Sequence, residues 1–330
     1  MAYITKHNSG WRAQVNTNGV RKSQVFATKS AASQWAAAVE TEARELQHGG
    51  LPRKTLLQAC DKYLAEVTKD KGGAKFERLR IEALLRDYPK MAGKIVSEVT
   101  TDDWAAWRDA RLKTVQPATV LRELRVWHHL FKLAREEWKW VKDDPFVGLR
   151  MPKSPPPRDR LPTPQENMMI LRWLGYRTGQ RPQTKMQEVA LAYLLALRTG
   201  MRAGEVLQLG DDTVNLDKRV ATVKHKTQRQ TGRPRQVPLS RHAVRLLRPQ
   251  LGRGPIFTVD SASLDALFRR AKQNLGIEGL HFHDSRADAL TRFAQRVDVM
   301  TLAKISGHRD LRILMNTYYR ETPEQIAAKL

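Results

Sequence analysis

Four short motifs follow one another in the C-terminal half of the sequence: Thr199-Gly200-Met201-Arg202-Ala203-Gly204-Glu205, Lys224-His225-Lys226-Thr227, His283-Asp284-Ser285-Arg286, and Ser306-Gly307-His308 with Tyr318-Tyr319 shortly after. Two arginines, a lysine and two histidines make a strongly cationic set. Guanidinium forks match the nonbridging oxygens of a phosphodiester and are always charged. Such a pocket would stabilise the added charge of a phosphorane-like transition state. A tyrosine hydroxyl is a poor nucleophile at its free pKa of about 10, but a cationic pocket lowers that value and a histidine can accept the proton. A lysine could protonate the leaving 5′ oxygen. The sequence shows no acid cluster suited to Mg²⁺, so the expected chemistry is phosphoryl transfer to tyrosine with no metal and no cofactor. Each motif alone is weak. Arg-x-Gly-Glu is common at helix starts, a Tyr-Tyr pair is normally packing, and His281-x-His283 is half a zinc site with no further ligands nearby. Their order and spacing within one segment carry the reading.

The elements that must position these residues belong to a chain of 330 residues with 58 Lys and Arg against 34 Asp and Glu, a formal charge of +24. That length suggests two or three domains, and 41% hydrophobic residues suffice to build cores. So basic a globular protein usually faces a polyanion, nucleic acid first and an anionic membrane surface second. No apolar stretch approaches a membrane span, and the N-terminus MAYITKHNSGWRAQ lacks the apolar core of a secretory signal. The lone Cys60 excludes an internal disulfide framework and reads as a small core residue. These features fit a reducing cytosol, a cytoplasmic location. Ribosomal and RNA-binding proteins share such a charge, so the motifs decide between them.

Along the chain, residues 1–50 read as a small sheet followed by a helix. Trp11, Ala13 and Val15 alternate with polar residues, Asn18-Gly19 is a hairpin turn, Val20 to Phe26 is the return strand, and Ala2 to Thr5 adds a third. Thr28 caps an alanine-rich helix running toward Gln47. Arg12, Arg21 and Lys22 sit at the more polar strand positions and are candidates for a DNA groove. Residues 51–150 read as all-helical. After Pro117, a stripe of Val120, Leu124, Trp127, Phe131, Ala134 and Trp138 shares one face, and Arg122, Arg125, Lys132 and Arg135 lie opposite, suited to phosphate contact. Residues 151–162, MPKSPPPRDRLP, form a proline-rich linker. Thr163-Pro164-Gln165-Glu166 then opens a new helical domain, 163–330, which contains one hairpin. Its strands are Val220 to Val223 and Gln236 to Leu239, joined by the basic loop KHKTQRQTGRPR. The fold class expected is multidomain and mainly α with small β elements: an N-terminal sheet plus helix, an all-helical domain, and a mixed α+β domain.

The four motifs resemble those of the tyrosine recombinase, or phage integrase, family. The resemblance covers the whole C-terminal domain and, more loosely, the two upstream segments. The family's first arginine turn is matched by Gly200 to Glu205, its hairpin lysine by Lys226 with Lys224 as the alternative, its His-x-x-Arg box by His283 and Arg286, and its Gly-His box by Gly307 and His308. The nucleophile position, counted from that histidine, falls on Thr317. A one-residue insertion makes Tyr318 the nucleophile, with Tyr319 as the alternative. Ser306 stands where leucine is usual and reads as a packing variation. The resemblance implies that Arg202 and Arg286 clamp the scissile phosphate, Lys226 acts as general acid, His283 accepts the tyrosine proton, His308 bonds a phosphate oxygen and Glu205 holds Arg202. It implies a catalytic domain of the tyrosine recombinase type over 163–330, a core-binding domain over 51–150 and an arm-binding domain over 1–50. The central and catalytic domains would clamp the duplex. The implied reaction joins double-stranded DNA attachment sites through a 3′-phosphotyrosyl link and a Holliday junction, in a homotetramer, with an accessory DNA-bending or excision factor as a possible partner. A prophage or mobile element would be integrated and excised. A final helix from Glu321 to Leu330 would dock on a neighbouring protomer or fold back on its own domain. Two rival readings are a type IB topoisomerase and a DNA-binding relative that has lost its chemistry.

Overall fold

The computed structural model describes residues 2–7, 10–17, 20–47, 50–153, 158–224, 228, 232–319, 324 and 327. The chain divides into two compact units, Met1–Pro156 and Pro157–Leu330. No helix among the described residues is long and apolar enough to cross a membrane.

The first unit opens with an antiparallel sheet of β1 (Ala2–His7), β2 (Gly10–Thr17) and β3 (Val20–Phe26), in that order. Helix α1 (Lys29–Gln47) starts where the Thr28 hydroxyl accepts from the Ala31 amide. Ala13 and Val15 alternate onto one sheet face and bury against Ala32, Ala36 and Val39 of α1. The register separates the three basic residues that are candidates for a DNA groove. Lys22 pairs with Val15 and so lies on the core side, whereas Arg12 pairs with Val25 and Arg21 with Asn16, on the open side. Adjacent strand residues point to opposite faces, so Arg21 and Lys22 cannot serve one surface together. The Asn18-Gly19 turn lies outside the described residues.

A second core in this unit is built by α2 (Leu56–Glu66), α3 (Ala74–Asp87), α4 (Pro89–Gly93), α5 (Thr101–Leu112) and α6 (Pro117–Glu136). Thr100 and Asp103 form a reciprocal capping box at the start of α5. The α6 stripe buries Val120, Leu124, Trp127, Phe131 and Ala134, while Trp138, beyond the helix end, is only partly covered. Trp104 of α5 stacks on Trp127 at 5.7 Å and meets Phe131 edge-on at 5.8 Å. Cys60 sits in this core, and burial, then Asp61, pushes its thiol pKa up to about 12.

The second unit begins at α7 (Pro164–Trp173), capped by the expected Thr163–Glu166 box. Its centre is α8 (Lys185–Thr199), buried on nearly every side. Around it lie α9 (Ala203–Val206), α10 (Arg241–Leu247), α11 (Ser261–Asn274), α12 (Asp284–Ala294), α13 (Val299–Ser306) and α14 (Leu311–Tyr318). The small sheet has three strands, β4 (Val214–Asn215), β5 (Val220–Val223) and β6 (Arg235–Pro238). Strand β4 is too short to leave a period-two signature in the sequence. The return strand starts one residue before the expected Gln236, because Arg235 pairs with Val223. That shift takes Arg235 out of the solvated loop to which the sequence assigns it and into the interior. The expected final helix falls largely outside the described residues.

Candidate active site

Two helices end in the same way beside the motif residues. Helix α8 stops at Gly200, with φ of 65°, and α13 stops at Gly307, with φ of 71°. Each glycine amide closes the last turn, onto Ala196 O at 2.9 Å and Ala303 O at 2.7 Å. Left-handed backbone favours glycine, and the space around each is also filled. A Cβ would meet Leu290 Cδ2 at 2.9 Å from Gly200 and Arg235 Cδ at 2.9 Å from Gly307. The sharp exits deliver Arg202 and His308 directly after the helix ends.

Arg286 joins those ends. It is 2% exposed, and its Nη1 and Nη2 donate to Gly200 O at 2.5 Å and Ser306 O at 2.7 Å. A cation at two helix C-termini meets carbonyls that lack helical partners. A guanidinium has five N–H groups, so donors are left for a phosphate. Burial, then the Arg202 and Arg235 charges, brings the Arg286 pKa down to about 10, and it is still protonated at neutral pH.

Glu205 is 3% exposed and holds two arginines. Its Oε1 accepts from Arg202 Nη1 at 3.0 Å, and its Oε2 accepts from the Arg202 amide at 2.9 Å and from Arg235 Nη2 at 2.5 Å. Arg235 also donates to Ile305 O at 2.7 Å.

The histidines and Tyr318 share this field. His308 Nδ1 lies 2.8 Å from Ser306 Oγ. Burial, followed by Arg286, Arg202, Arg235 and His283, takes the His308 pKa to about 4, so the ring is neutral at pH 7. His283 stands at the start of α12 with solvent access. Partial burial of its ring, then Arg286 and Arg202, lowers its pKa below the ordinary imidazole value. Tyr318 ends α14 with its ring centroid 6.4 Å from that of His308. Burial raises its pKa above that of a free phenol, while Arg286 and Arg202 pull it down. The Tyr319 hydroxyl instead donates to Val297 O at 2.6 Å.

The structure therefore brings together Arg202, Glu205, His283, Arg286, His308 and Tyr318. Lys226 lies outside the described residues. Lys224, its alternative, is exposed at the hairpin mouth, where Gln208 holds its backbone through Lys224 N to Oε1 at 2.8 Å and Nε2 to Lys224 O at 3.0 Å. In the other unit, Arg122 and Arg125 are exposed on α6 and make no ion pair among the described residues. Lys132 and Arg135 are partly spent on Glu136, and Arg135 also approaches Asp144. Arg12 bonds His7 Nε2 at 2.9 Å, and Arg21 is exposed.

Two residues at the site escape the sequence reading. Arg235 continues the buried alternation of Val237 and Leu239, a period that an arginine in a basic run conceals. Ser306 is not a packing variation. Fully buried, it offers its carbonyl to Arg286 and its hydroxyl to His308, which a leucine could do only through the carbonyl.

Known proteins share sequence and fold with this chain. Residues 176–325 match the model of the Phage integrase family. The chain is 38% identical over 328 residues to a Haemophilus influenzae protein named "Putative integrase/recombinase", covering 97% of this chain and 87% of that one. It is 34% identical over 290 residues to a shufflon-specific DNA recombinase of Escherichia coli, covering 84% and 72%. The fold is similar to that of lambda integrase, solved as a tetramer bound to a Holliday junction, with a TM-score of 0.64 and 17% identity over 97% of this chain and 96% of that one.

Proposed function

The chain belongs to the phage integrase family of tyrosine site-specific recombinases, and we propose that it cuts and rejoins double-stranded DNA attachment sites through a 3′-phosphotyrosyl link to Tyr318. The observation that supports this reading is that Tyr318 lies beside His308, at 6.4 Å between ring centroids, in the field of Arg202 and Arg286, while the Tyr319 hydroxyl is tied to a backbone carbonyl. Arg202 and Arg286 bind the nonbridging oxygens of the scissile phosphate and stabilise the charge that grows on them. His283, with solvent access and a lowered pKa, takes the phenolic proton. Neutral His308 donates a hydrogen bond to a phosphate oxygen. Lys226, from the hairpin loop, protonates the departing 5′ oxygen. The phenolate oxygen bonds to phosphorus as the P–O5′ bond breaks, leaving a free 5′ hydroxyl. Attack by the partner strand's hydroxyl reverses the chemistry on a new strand, so the bond energy is conserved and no ATP is consumed.

In this reading residues 1–50 bind arm-type sites, 51–150 bind the core site, 151–162 link, and 163–330 catalyse. Four copies on two sites pass through a Holliday junction to integrate or excise a prophage or mobile element. A two-site plasmid assay tests the whole. Recombinant product restricted to paired attachment sites is expected. Site-independent relaxation of supercoils would indicate a topoisomerase, and site occupancy without any strand breakage would indicate a relative that only binds.

A further inference from the structure

We propose that Arg235 is a positioning residue that fastens the Arg202 turn and the Gly307-His308 turn to the hairpin strand, so that the hairpin and both phosphate-binding turns hold one geometry. The proposal rests on the recombinase reading above for its consequence in DNA cleavage, and on the contacts alone for its structural part.

Arg235 opens β6 and pairs with Val223, the last residue of β5, at the base of the loop that carries Lys226. Its side chain is 7% exposed. One terminal nitrogen reaches Glu205 Oε2 at 2.5 Å, and the other reaches Ile305 O at 2.7 Å. Glu205 gives its other contacts to Arg202, so the chain of bonds runs from strand to carboxylate to the first catalytic arginine. The Ile305 carbonyl belongs to the last turn of α13, immediately before Gly307-His308. The Arg235 stem also fills the space beside Gly307, where a Cβ would come within 2.9 Å of Cδ. One side chain thus braces both turns. Its terminal nitrogens go to residues of the two turns, and the role proposed for it is to hold them.

Economy of packing does not account for it. Arg235 Nε is buried with no hydrogen-bond partner, and Glu205 is shared between two cations. An unpaired buried donor is costly, and an apolar side chain of similar volume would often serve stability as well as a buried ion pair. What an apolar side chain cannot do is hold Glu205 and the Ile305 carbonyl at fixed separation.

The test compares Arg235→Met and Arg235→Lys with the unsubstituted full chain. Single-turnover formation of the covalent complex on a nicked core duplex should slow at least tenfold in Arg235→Met, with duplex binding within about twofold. Lysine should recover part of the rate, since an ammonium reaches one acceptor but not both. Combined with Glu205→Gln, Arg235→Met should add little further loss, as expected for residues acting in one chain of contacts. Amide hydrogen exchange, which needs no cleavage, should show residues 203–207 and 307–309 losing protection together in Arg235→Met. If that variant does not fold, Arg235→Lys supplies both readouts. Wild-type cleavage rates, full additivity with Glu205→Gln, or unchanged exchange in the two turns would overturn the proposal. Joint loss of protection in a protein that forms no covalent complex even unsubstituted would retain the brace and sink the recombinase reading.

Discussion

The Tyr319 hydroxyl donates to the backbone carbonyl of Val297 at 2.6 Å, fixing the residue next to Tyr318 as a structural anchor. Tyr319→Phe should therefore keep DNA cleavage within a few-fold of wild type and lose about 1 kcal/mol of stability, the usual worth of one hydrogen bond. Thermal unfolding and a cleavage time course check both parts. A variant that folds normally yet no longer cleaves would move the nucleophile to Tyr319.

Glu205 lies between Arg202 and Arg235, with side-chain exposures of 4%, 36% and 7% respectively. Removing one partner of a buried pair leaves uncompensated charge, a loss of about 3–5 kcal/mol. Glu205→Ala should show that order of destabilisation in denaturant unfolding and lose cleavage at temperatures where it is still folded. Glu205→Gln, which can still accept from one arginine, should lose less of both.

His308 has a folded pKa of about 4 against an ordinary value of 6.5. As pH falls from 6.5 toward 4 the unfolded chain takes up a proton that the folded ring refuses, so stability declines across that window and is unaffected by this group above it. His283, also lowered, adds a decline of the same sign. His308→Gln should flatten the fall in unfolding midpoint between pH 6.5 and 4, and an unchanged slope would contradict the assignment.

Ser306 Oγ contacts His308 Nδ1 at 2.8 Å and leaves Nε2 for a phosphate oxygen. Ser306→Ala should cost about 0.5–1.5 kcal/mol and slow cleavage several-fold while leaving core binding intact. Equal cleavage by the two proteins would mean that the serine does not orient the ring.

Arg122 and Arg125 project from α6 free of ion pairs among the described residues, while Lys132 and Arg135 are engaged. If the free pair contacts phosphates, Arg122→Ala with Arg125→Ala should weaken core binding and reduce the salt slope by about 2, roughly one per lost phosphate contact. The same substitutions at Lys132 and Arg135 should have smaller effects. A slope unchanged by Arg122→Ala with Arg125→Ala would remove α6 from the DNA interface.

Much of this was legible in the sequence because it rests on local rules. The α6 stripe follows helical period, the Thr163 cap follows box chemistry, and strand β2 follows the alternation of Trp11, Ala13 and Val15. The site residues show in the sequence through their order, although nothing local says that Arg286 spans two helix ends. What stayed hidden depends on register or on long-range partners. One residue of strand register takes Arg235 from loop to interior, and pairing with Val15 puts Lys22 on the wrong face for its neighbour Arg21. Ser306 differs from a leucine through its contact with His308, which only the turn at Gly307 creates.

The most direct test is the covalent step itself. Incubated without metal or ATP with a nicked duplex carrying its attachment core, the protein should yield a protein–DNA band that survives a denaturing gel. Peptide mapping should place the DNA on Tyr318, and Tyr318→Phe should abolish the band while leaving duplex binding unchanged. A true core site that is bound but never linked to the protein, or a band that persists in Tyr318→Phe, would contradict the central claim.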